Sequence, residues 1–321
     1  MSSMKTLVVI LNKDNAEGLR KTLDSLTRQT VSICEEFDVL VIDGGSKDRS
    51  KEVTLSFSEN YPCIKFRIQK TLGGTGYARL EASLYALENG YDVVIWGDSE
   101  NVYNSRYIEG FLKNFDNGCD VVGGVPIITN GFWSHAYAWY HSIHLVFPWI
   151  KKIHIPGNNR GEKTSIYHKA LYPVSKRAED YGYSLLLLKK GIKLKHCISR
   201  ESQVYISFPK KLVEVIKWQN YRSRGVAEVC KDVGIFPIDC ILWIMFLSLV
   251  VLGSLLVPFY WEIGLTILSL PILFSLALFI VSRKYILEPK LRYILAPFIG
   301  LLIHSYYCLK TIVLLPFISR K

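Results

Sequence analysis

The sequence predicts an α/β domain with a mostly parallel sheet flanked by helices, followed by an all-α membrane domain. Three observations carry that expectation. Apolar strands alternate with helix-patterned segments from the start of the chain, the repeat that builds parallel sheets. Polar clusters follow the strands, and such sheets bind ligands outside their carboxyl ends. Charge is spread through the first 233 residues and is nearly absent from long runs beyond them.

Thr6–Leu11 is an apolar strand, and Glu17–Leu26 places Leu19, Leu23 and Leu26 at helical spacing. Phe37–Ile42 is a second strand that ends in Asp43-Gly44-Gly45-Ser46, and Ile64–Ile68 is a third. A glycine turn and a helix over Tyr77–Leu87 come next, then a fourth strand, Val93–Trp96, leading into Asp98. Later, Tyr183–Lys189 is a leucine-rich helix preceded by Glu179-Asp180. Between them, Phe132–Ile155 is rich in aromatic residues and ends near Lys151-Lys152. It reads either as an amphipathic segment at a membrane surface or as aromatic-rich core helices. His135, His141, His144 and His154 fall here without acidic or cysteine partners at metal-ligand spacing.

Cys240–Trp261 is 22 positions without a charge, Ile263–Ser282 is 20 more, and Tyr293–Leu309 adds 17. About 20 apolar residues cross a bilayer as a helix. The expected spans are therefore about 238–260, 263–282 and 292–316, the first two forming a hairpin around Pro258 and Trp261. The first domain covers 1–232 and the membrane domain 233–321, with interfacial segments near 132–155 and 209–232.

The apolar run Leu7–Leu11 is too short for a signal peptide, so the first domain is expected to stay cytoplasmic. The connector Arg283–Arg292 carries four basic residues against Glu288, which also places it inside. Arg320-Lys321 fits that scheme less well. The last segment either crosses or bends at His304–Lys310 and lies along the interface. The chain is thus expected in a membrane, most naturally the prokaryotic plasma membrane. Seven scattered cysteines in a cytoplasmic domain are expected to be reduced.

The net charge of +11 excludes no partner by itself. Its location is more informative, because Lys189–Asp232 holds 11 Lys/Arg against 4 Asp/Glu just before the first span. Anionic membrane lipids are the expected partner. Nucleic acid is not, since no binding motif accompanies the basic stretch.

Four clusters could carry chemistry. Asp98-Ser99-Glu100 follows a buried strand, and two carboxylates there suit a hard divalent ion, although D-x-E also occurs on solvated loops. Gly73-Gly74-Thr75-Gly76 opens the helix that carries Arg79, either to admit an anion or simply to start the helix. Glu179-Asp180 opens a helix, as a cap or as a general base. Gln219 and Arg222 lie three apart on one helical face, which reads equally as an interfacial helix.

In this order the motifs resemble the family 2 glycosyltransferases, inverting enzymes with a GT-A-type nucleotide-sugar domain. Val8–Asn15 is similar to their first strand and nucleotide loop, with Leu11-Asn12-Lys13-Asp14 where P-T-Y-N is usual. Val41–Asp48 resembles V-V-D-x-G-S-x-D, and Asp98-Ser99-Glu100 resembles D-x-D. Glu179-Asp180 resembles the E-D motif. Gln219–Ser223 resembles Q-x-x-R-W, with serine in place of tryptophan. The resemblance implies donor binding by Asn12, Asp14, Asp43, Gly74, Arg79 and Asp98. It implies Mg2+ or Mn2+ on Asp98 and Glu100, and catalysis by Asp180 with Glu179. It puts the acceptor or diphosphate at Asn158, Gln219 and Arg222.

The implied reaction moves a sugar from a nucleoside-diphosphate sugar to a polyprenyl-linked saccharide, as in surface polysaccharide or glycan assembly. Two alternatives stay open: the lipid phosphate itself as acceptor, and a non-catalytic scaffold that only binds a nucleotide sugar.

Overall fold

The computed structural model describes residues 4–318. The chain divides into two compact units, one of Met1–Ile127 with Phe147–Ser207 and one of Ile128–Val146 with Phe208–Lys321.

The first unit opens with β1 (Thr6–Asn12), α1 (Ala16–Thr27), β2 (Phe37–Asp43), α2 (Ser50–Ser58), β3 (Ile64–Ile68), α3 (Thr75–Glu88) and β4 (Val93–Asp98). Each strand pairs in parallel, β3 on β2, β2 on β1 and β1 on β4. These are the strands that the apolar runs predict. They are legible because a strand buried on both faces is apolar at nearly every position. Packing on the two sheet faces explains the run: Val8 and Ile10 join one core cluster, Leu7 and Val9 the other.

The second half departs from a parallel sheet. After β5 (Val102–Tyr103), α4 (Tyr107–Asp116) and β6 (Val121–Ile128), the strand β7 (Arg160–Lys163) inserts antiparallel between β4 and β6. After α7 (Glu179–Lys189), β8 (His196–Ile206) completes an eight-stranded mixed sheet of order β3-β2-β1-β4-β7-β6-β8-β5.

The cysteines correct the sequence reading. Cys34 is bonded to Cys63 and Cys119 to Cys197, leaving Cys230, Cys240 and Cys308 free and buried. The cause is strand adjacency rather than spacing. Pairing Val39 with Ile64 brings the approaches to β2 and β3 together, and β6 and β8 are sheet neighbours. Disulfides persist in oxidising compartments and inside hyperthermophiles.

The second unit holds α5 (Phe132–His141), α6 (Ile143–Val146), α8 (Leu212–Val233), α9 (Ile238–Leu256), α10 (Trp261–Ser282) and α11 (Ala296–Leu314). Three helical stretches, Ile238–Leu256, Trp261–Tyr285 and Leu291–Phe317, are long and apolar enough to cross a membrane. The hairpin between the first two falls where Pro258 predicts it. No bend interrupts His304–Lys310, which lie inside α11, so that alternative is corrected. Lys310 is accommodated because its Nζ donates to Asn220 Oδ1 at 2.6 Å. Arg320-Lys321 lie outside the described residues.

The aromatic segment 132–155 is not one amphipathic stretch. In α5, Ala136, Tyr137, Ala138 and Trp139 are all buried, and Gly300 of α11 packs on Ala136. The 147–155 portion belongs to the first unit, with Trp149 63% exposed.

Candidate active site

Parallel pairing sets Asn12 opposite Asp43 and Leu11 opposite Asp98, so three polar strand ends share one edge of the sheet. Asp43 is 2% exposed and serves as the organiser of the β2 loop. Its Oδ1 accepts from Gly45 N and Ser46 N, and its Oδ2 from Asn12 Nδ2 (2.7 Å) and the Ser46 hydroxyl (2.6 Å). Asp14, at φ 50°, accepts from Lys47 N at 2.8 Å and donates its own N–H to Ser46 Oγ. Asn12 Oδ1 alone remains buried without a partner in this loop pair.

Gly74 and Gly76 also have a structural task. The space a Cβ would need at Gly74 is filled by the backbone of Lys176, and at Gly76 by Ser175. Thr75 N donates to Lys176 O at 3.2 Å. These glycines let the 175–176 backbone lie against the start of α3.

That contact delivers α7 to α3. Thr75 Oγ1 and Arg79 Nε both donate to Glu179, the latter at 2.8 Å, with Arg79 3% exposed. The Arg79 guanidinium also lies over the Trp96 ring at 4.8 Å and the Tyr172 ring at 5.7 Å. Burial opposes its charge, but Glu179, Tyr172, Asp98 and Asp180 more than restore it, and its pKa rises. Glu179 is therefore the fixed counter-ion of Arg79. Removing one partner of such a buried pair leaves an uncompensated charge. Glu179→Gln should lower unfolding stability by about 3 kcal/mol, measured by denaturation in detergent, while Glu179→Asp should recover part of it. An unchanged stability would show that the pair holds nothing.

Asp180 sits beside it, half-buried. Its Oδ2 accepts from Gly157 N and its Oδ1 from Tyr181 N, both at 2.8 Å. Burial alone would raise its pKa. The charges of His154 and Arg79 and the two N–H donors outweigh burial and hold it below the usual carboxylate range. Gly157 belongs to a 3-10 turn, Gly157–Asn159, that also fixes the Asp98 loop. Asn158 O accepts from Asn101 Nδ2 at 2.8 Å, and Asn101 N donates to Asp98 O. One short turn thus ties Asp98 and Asp180 into one arrangement.

Asp98 and Glu100 are different in kind. Among the described residues neither side chain has a hydrogen bond or an ion pair. Burial pushes the Asp98 carboxyl up to about 6, against Arg79 and with help from Glu179 and Asp180. The Glu100 carboxyl, which keeps an exposed face, also moves up, through burial and then the Asp98 charge. Two under-satisfied carboxylates that repel one another fit a divalent cation. No group of three His, Cys, Asp or Glu converges among the described residues. Such an ion would take only two protein carboxylates, as Mg2+ commonly does when phosphates complete its shell.

The second unit holds Gln219 and Arg222 on α8. Arg222 Nε donates to Tyr140 Oη at 2.7 Å, and Arg222 Nη1 is buried with no partner. Gln219 is fully buried beside Tyr137.

Sequence reading missed the buried support beneath Arg79. Glu162 and Arg160 form a fully buried pair at 2.7 Å, and Trp96, Tyr167 and Tyr172 all donate to Glu162 Oε1. It also missed His154. The only signal for Arg160 and Glu162 was alternation of charge in a short polar segment, which ordinarily marks an exposed strand.

The sequence model of Glycosyl transferase family 2 matches residues 7–178, more than half of the 321-residue chain. The chain belongs to that family. Its sheet is of the GT-A type and is followed by a helical region. The Bacillus subtilis glycosyltransferase YfnE is 30% identical over 138 residues, 43% of this chain and 32% of its own length. Glycosyltransferase AglE of Haloferax volcanii is 29% identical over 121 residues, 36% of this chain and 38% of its own. This chain therefore spans about a third of the length of these curated relatives. The mannosyltransferase PcManGT of Pyrobaculum calidifontis shares the fold, with a TM-score of 0.60 at 13% identity over 97% of this chain and 87% of that one.

Proposed function

We propose that this glycosyltransferase is an integral membrane enzyme that moves a sugar, with inversion, from a nucleoside-diphosphate sugar to a polyprenyl-linked saccharide. The observation that carries the reading is the convergence of Asp180, the Arg79–Glu179 pair and the two unpaired carboxylates at one sheet edge. The PcManGT structure contains GDP-Man and Mn2+, which supports a nucleotide-sugar donor and a divalent ion for this chain too. Asp98 and Glu100 would hold the ion. Mg2+ or Mn2+, when bound, neutralises negative charge on the donor diphosphate as the leaving group departs.

The chain's own residues supply the rest. Asp180 is held as the anion by Gly157 N, Tyr181 N, Arg79 and His154, so it is ready to accept a proton at neutral pH. It takes the proton of an acceptor hydroxyl as that oxygen bonds to the anomeric carbon from the face opposite the departing diphosphate. One displacement inverts the configuration. Asn12, Asp14 and Asp43 shape the loops that receive the nucleotide. Arg79 acts on the donor through its field and through Nη1, which is buried without a partner.

The acceptor reading rests on the second unit. Arg222 has no carboxylate within ion-pair distance among the described residues. A buried cation without a counter-ion favours an anionic guest. A lipid phosphate or diphosphate supplies one. The three membrane-length helices and the basic connector support residence in a prokaryotic plasma membrane with the first unit cytoplasmic.

The test uses purified protein in detergent with Mn2+ and a panel of nucleotide sugars. Release of nucleoside diphosphate is followed with and without a membrane lipid extract. Lipid-stimulated release from one donor is the expected result, and mass spectrometry of the product lipid identifies the acceptor. Donor binding without turnover, across several extracts, would overturn the reading in favour of a scaffold.

A further inference from the structure

The geometry points to a membrane contact in the first unit, the turn 147–153 seated in a bilayer surface of anionic phospholipid. This contact rests on the reading of the chain as an integral membrane enzyme and is tested apart from it. Backbone hydrogen bonds wind the segment on itself. Ile150 N donates to Phe147 O at 2.9 Å and Lys152 N to Trp149 O at 3.3 Å. Ile153 N and His154 N both donate to Ile150 O at 2.8 Å. Fully buried Ile155 then ties the segment to the core, where it packs on Gly123. The turn is thus held in one shape.

What it displays is apolar. Trp149 is 63% exposed, more than any other large apolar side chain of the first unit among the described residues. Ile153 is 45% exposed, and Pro148 is exposed as well. Scattered apolar residues are ordinary on a protein surface. Here three share one compact turn. In α5, by contrast, Tyr137 and Trp139 are buried, so only the fold separates the displayed residues from the rest of the aromatic run.

The partner follows from charge. Lys151 and Lys152 lie within the turn, and neither has an ion pair among the described residues. No Asp or Glu occurs between Asp120 and Glu162, and Arg160, in the same stretch, is matched by Glu162. Tryptophan favours the headgroup boundary, and lysines beside it are drawn to anionic lipid. The chain also enters this turn directly from the unit that carries the membrane-length helices, between Val146 and Phe147. A bilayer is therefore the partner that needs no recruitment. The contact has a use, because Gly157, two residues beyond Ile155, donates its N–H to Asp180 Oδ2. A turn seated in the headgroups sets the height of the Asp180 site above the bilayer, as transfer to a lipid-linked hydroxyl requires.

Spin labelling tests this on the full chain, reconstituted in vesicles of phosphatidylcholine mixed with phosphatidylglycerol. Cys230, Cys240 and Cys308 are buried, so a nitroxide reagent is directed to the thiol introduced by Ile153→Cys. Relaxation by oxygen against a water-soluble nickel chelate reads the depth of the label. At position 153 it should lie about 5–10 Å into the headgroup–acyl boundary. A label on Leu55→Cys, an exposed position of α2, should read as aqueous. Trp149→Ser, a change at an exposed side chain, should move the label at 153 outward. Vesicles of phosphatidylcholine alone should do the same.

An aqueous reading at 153 would overturn the contact, and so would equal depths at 153 and 55. A depth at 153 that neither Trp149→Ser nor removal of the anionic lipid changes would overturn it too. A label on Leu252→Cys in α9 reports the membrane reading separately. If 252 is immersed and 153 is not, the turn alone is refuted. If 252 is itself aqueous, the membrane reading fails and the contact fails with it.

Discussion

Asp180→Asn should reduce kcat by roughly 10³-fold, within the range that a positioned general base supplies. That corresponds to about 4 kcal/mol of transition-state stabilisation. The substitution is nearly isosteric, and the amide oxygen can still accept from Gly157 N or Tyr181 N. Fold and donor affinity should therefore survive, and the loss should fall on kcat rather than KM.

The pH dependence sharpens the prediction. The folded-state pKa of Asp180 is depressed, so its contribution to stability is present above the ordinary carboxylate range and is lost as pH falls through the folded value. The base stays ionised throughout neutral pH. An acid limb in kcat/KM due to Asp180 must then lie below the usual carboxylate range. Measured rates for wild type and Asp180→Asn with the donor found by the panel would check this. Near-normal turnover by the Asn variant would sink the hydroxyl-acceptor reading and favour a lipid phosphate, which arrives already anionic and needs no base.

What the sequence disclosed, and what it hid, follows the physics of each element. Val93–Trp96 and Ile64–Ile68 were legible because buried parallel strands are uninterrupted apolar runs. Asp43 and Asp98 were legible because the same topology puts strand ends at one edge. In contrast, Arg160–Lys163 is a central strand written in charged residues. It is stable inside only because Glu162 meets Arg160 and three ring donors, partners as far as 66 residues away in sequence. The ion pair of Arg79 with Glu179 spans 100 residues, so a local reading of either motif could not show that the fold pairs them. The Cβ sides of Gly74 and Gly76 face residues 175–176, a contact that no local pattern announces. Both disulfides belong to the same class of hidden fact, since each joins cysteines that meet only once strands are ordered in the sheet.

Asp98→Ala should abolish metal-stimulated transfer, with a loss on the order of 10²–10³-fold or greater, the cost of removing one preorganised electrostatic contact to a developing anion. The argument rests on what Asp98 lacks. Every other carboxylate at this edge has internal donors: Asp43 has four, Asp180 two N–H groups, and Glu179 a guanidinium and a hydroxyl. Asp98 and Glu100 have none, and each is pushed toward its neutral form by burial. A residue that serves only the fold would not be left as Asp98 is, because a half-buried acid without internal donors costs stability. The same reasoning predicts that removing Asp98 does not unfold the protein. Arg79 keeps its ion pair with Glu179, and one source of repulsion disappears. Glu100→Gln should cost less than Asp98→Ala, since Glu100 keeps a solvent-exposed face and water can replace its oxygen. Electron paramagnetic resonance of added Mn2+ separates loss of the ion from loss of chemistry. Weaker Mn2+ binding together with lost transfer in Asp98→Ala is the expected pair of results. Full Mn2+ binding in that variant would remove Asp98 from the ion's coordination and leave its unpaired carboxylate to the donor or acceptor instead.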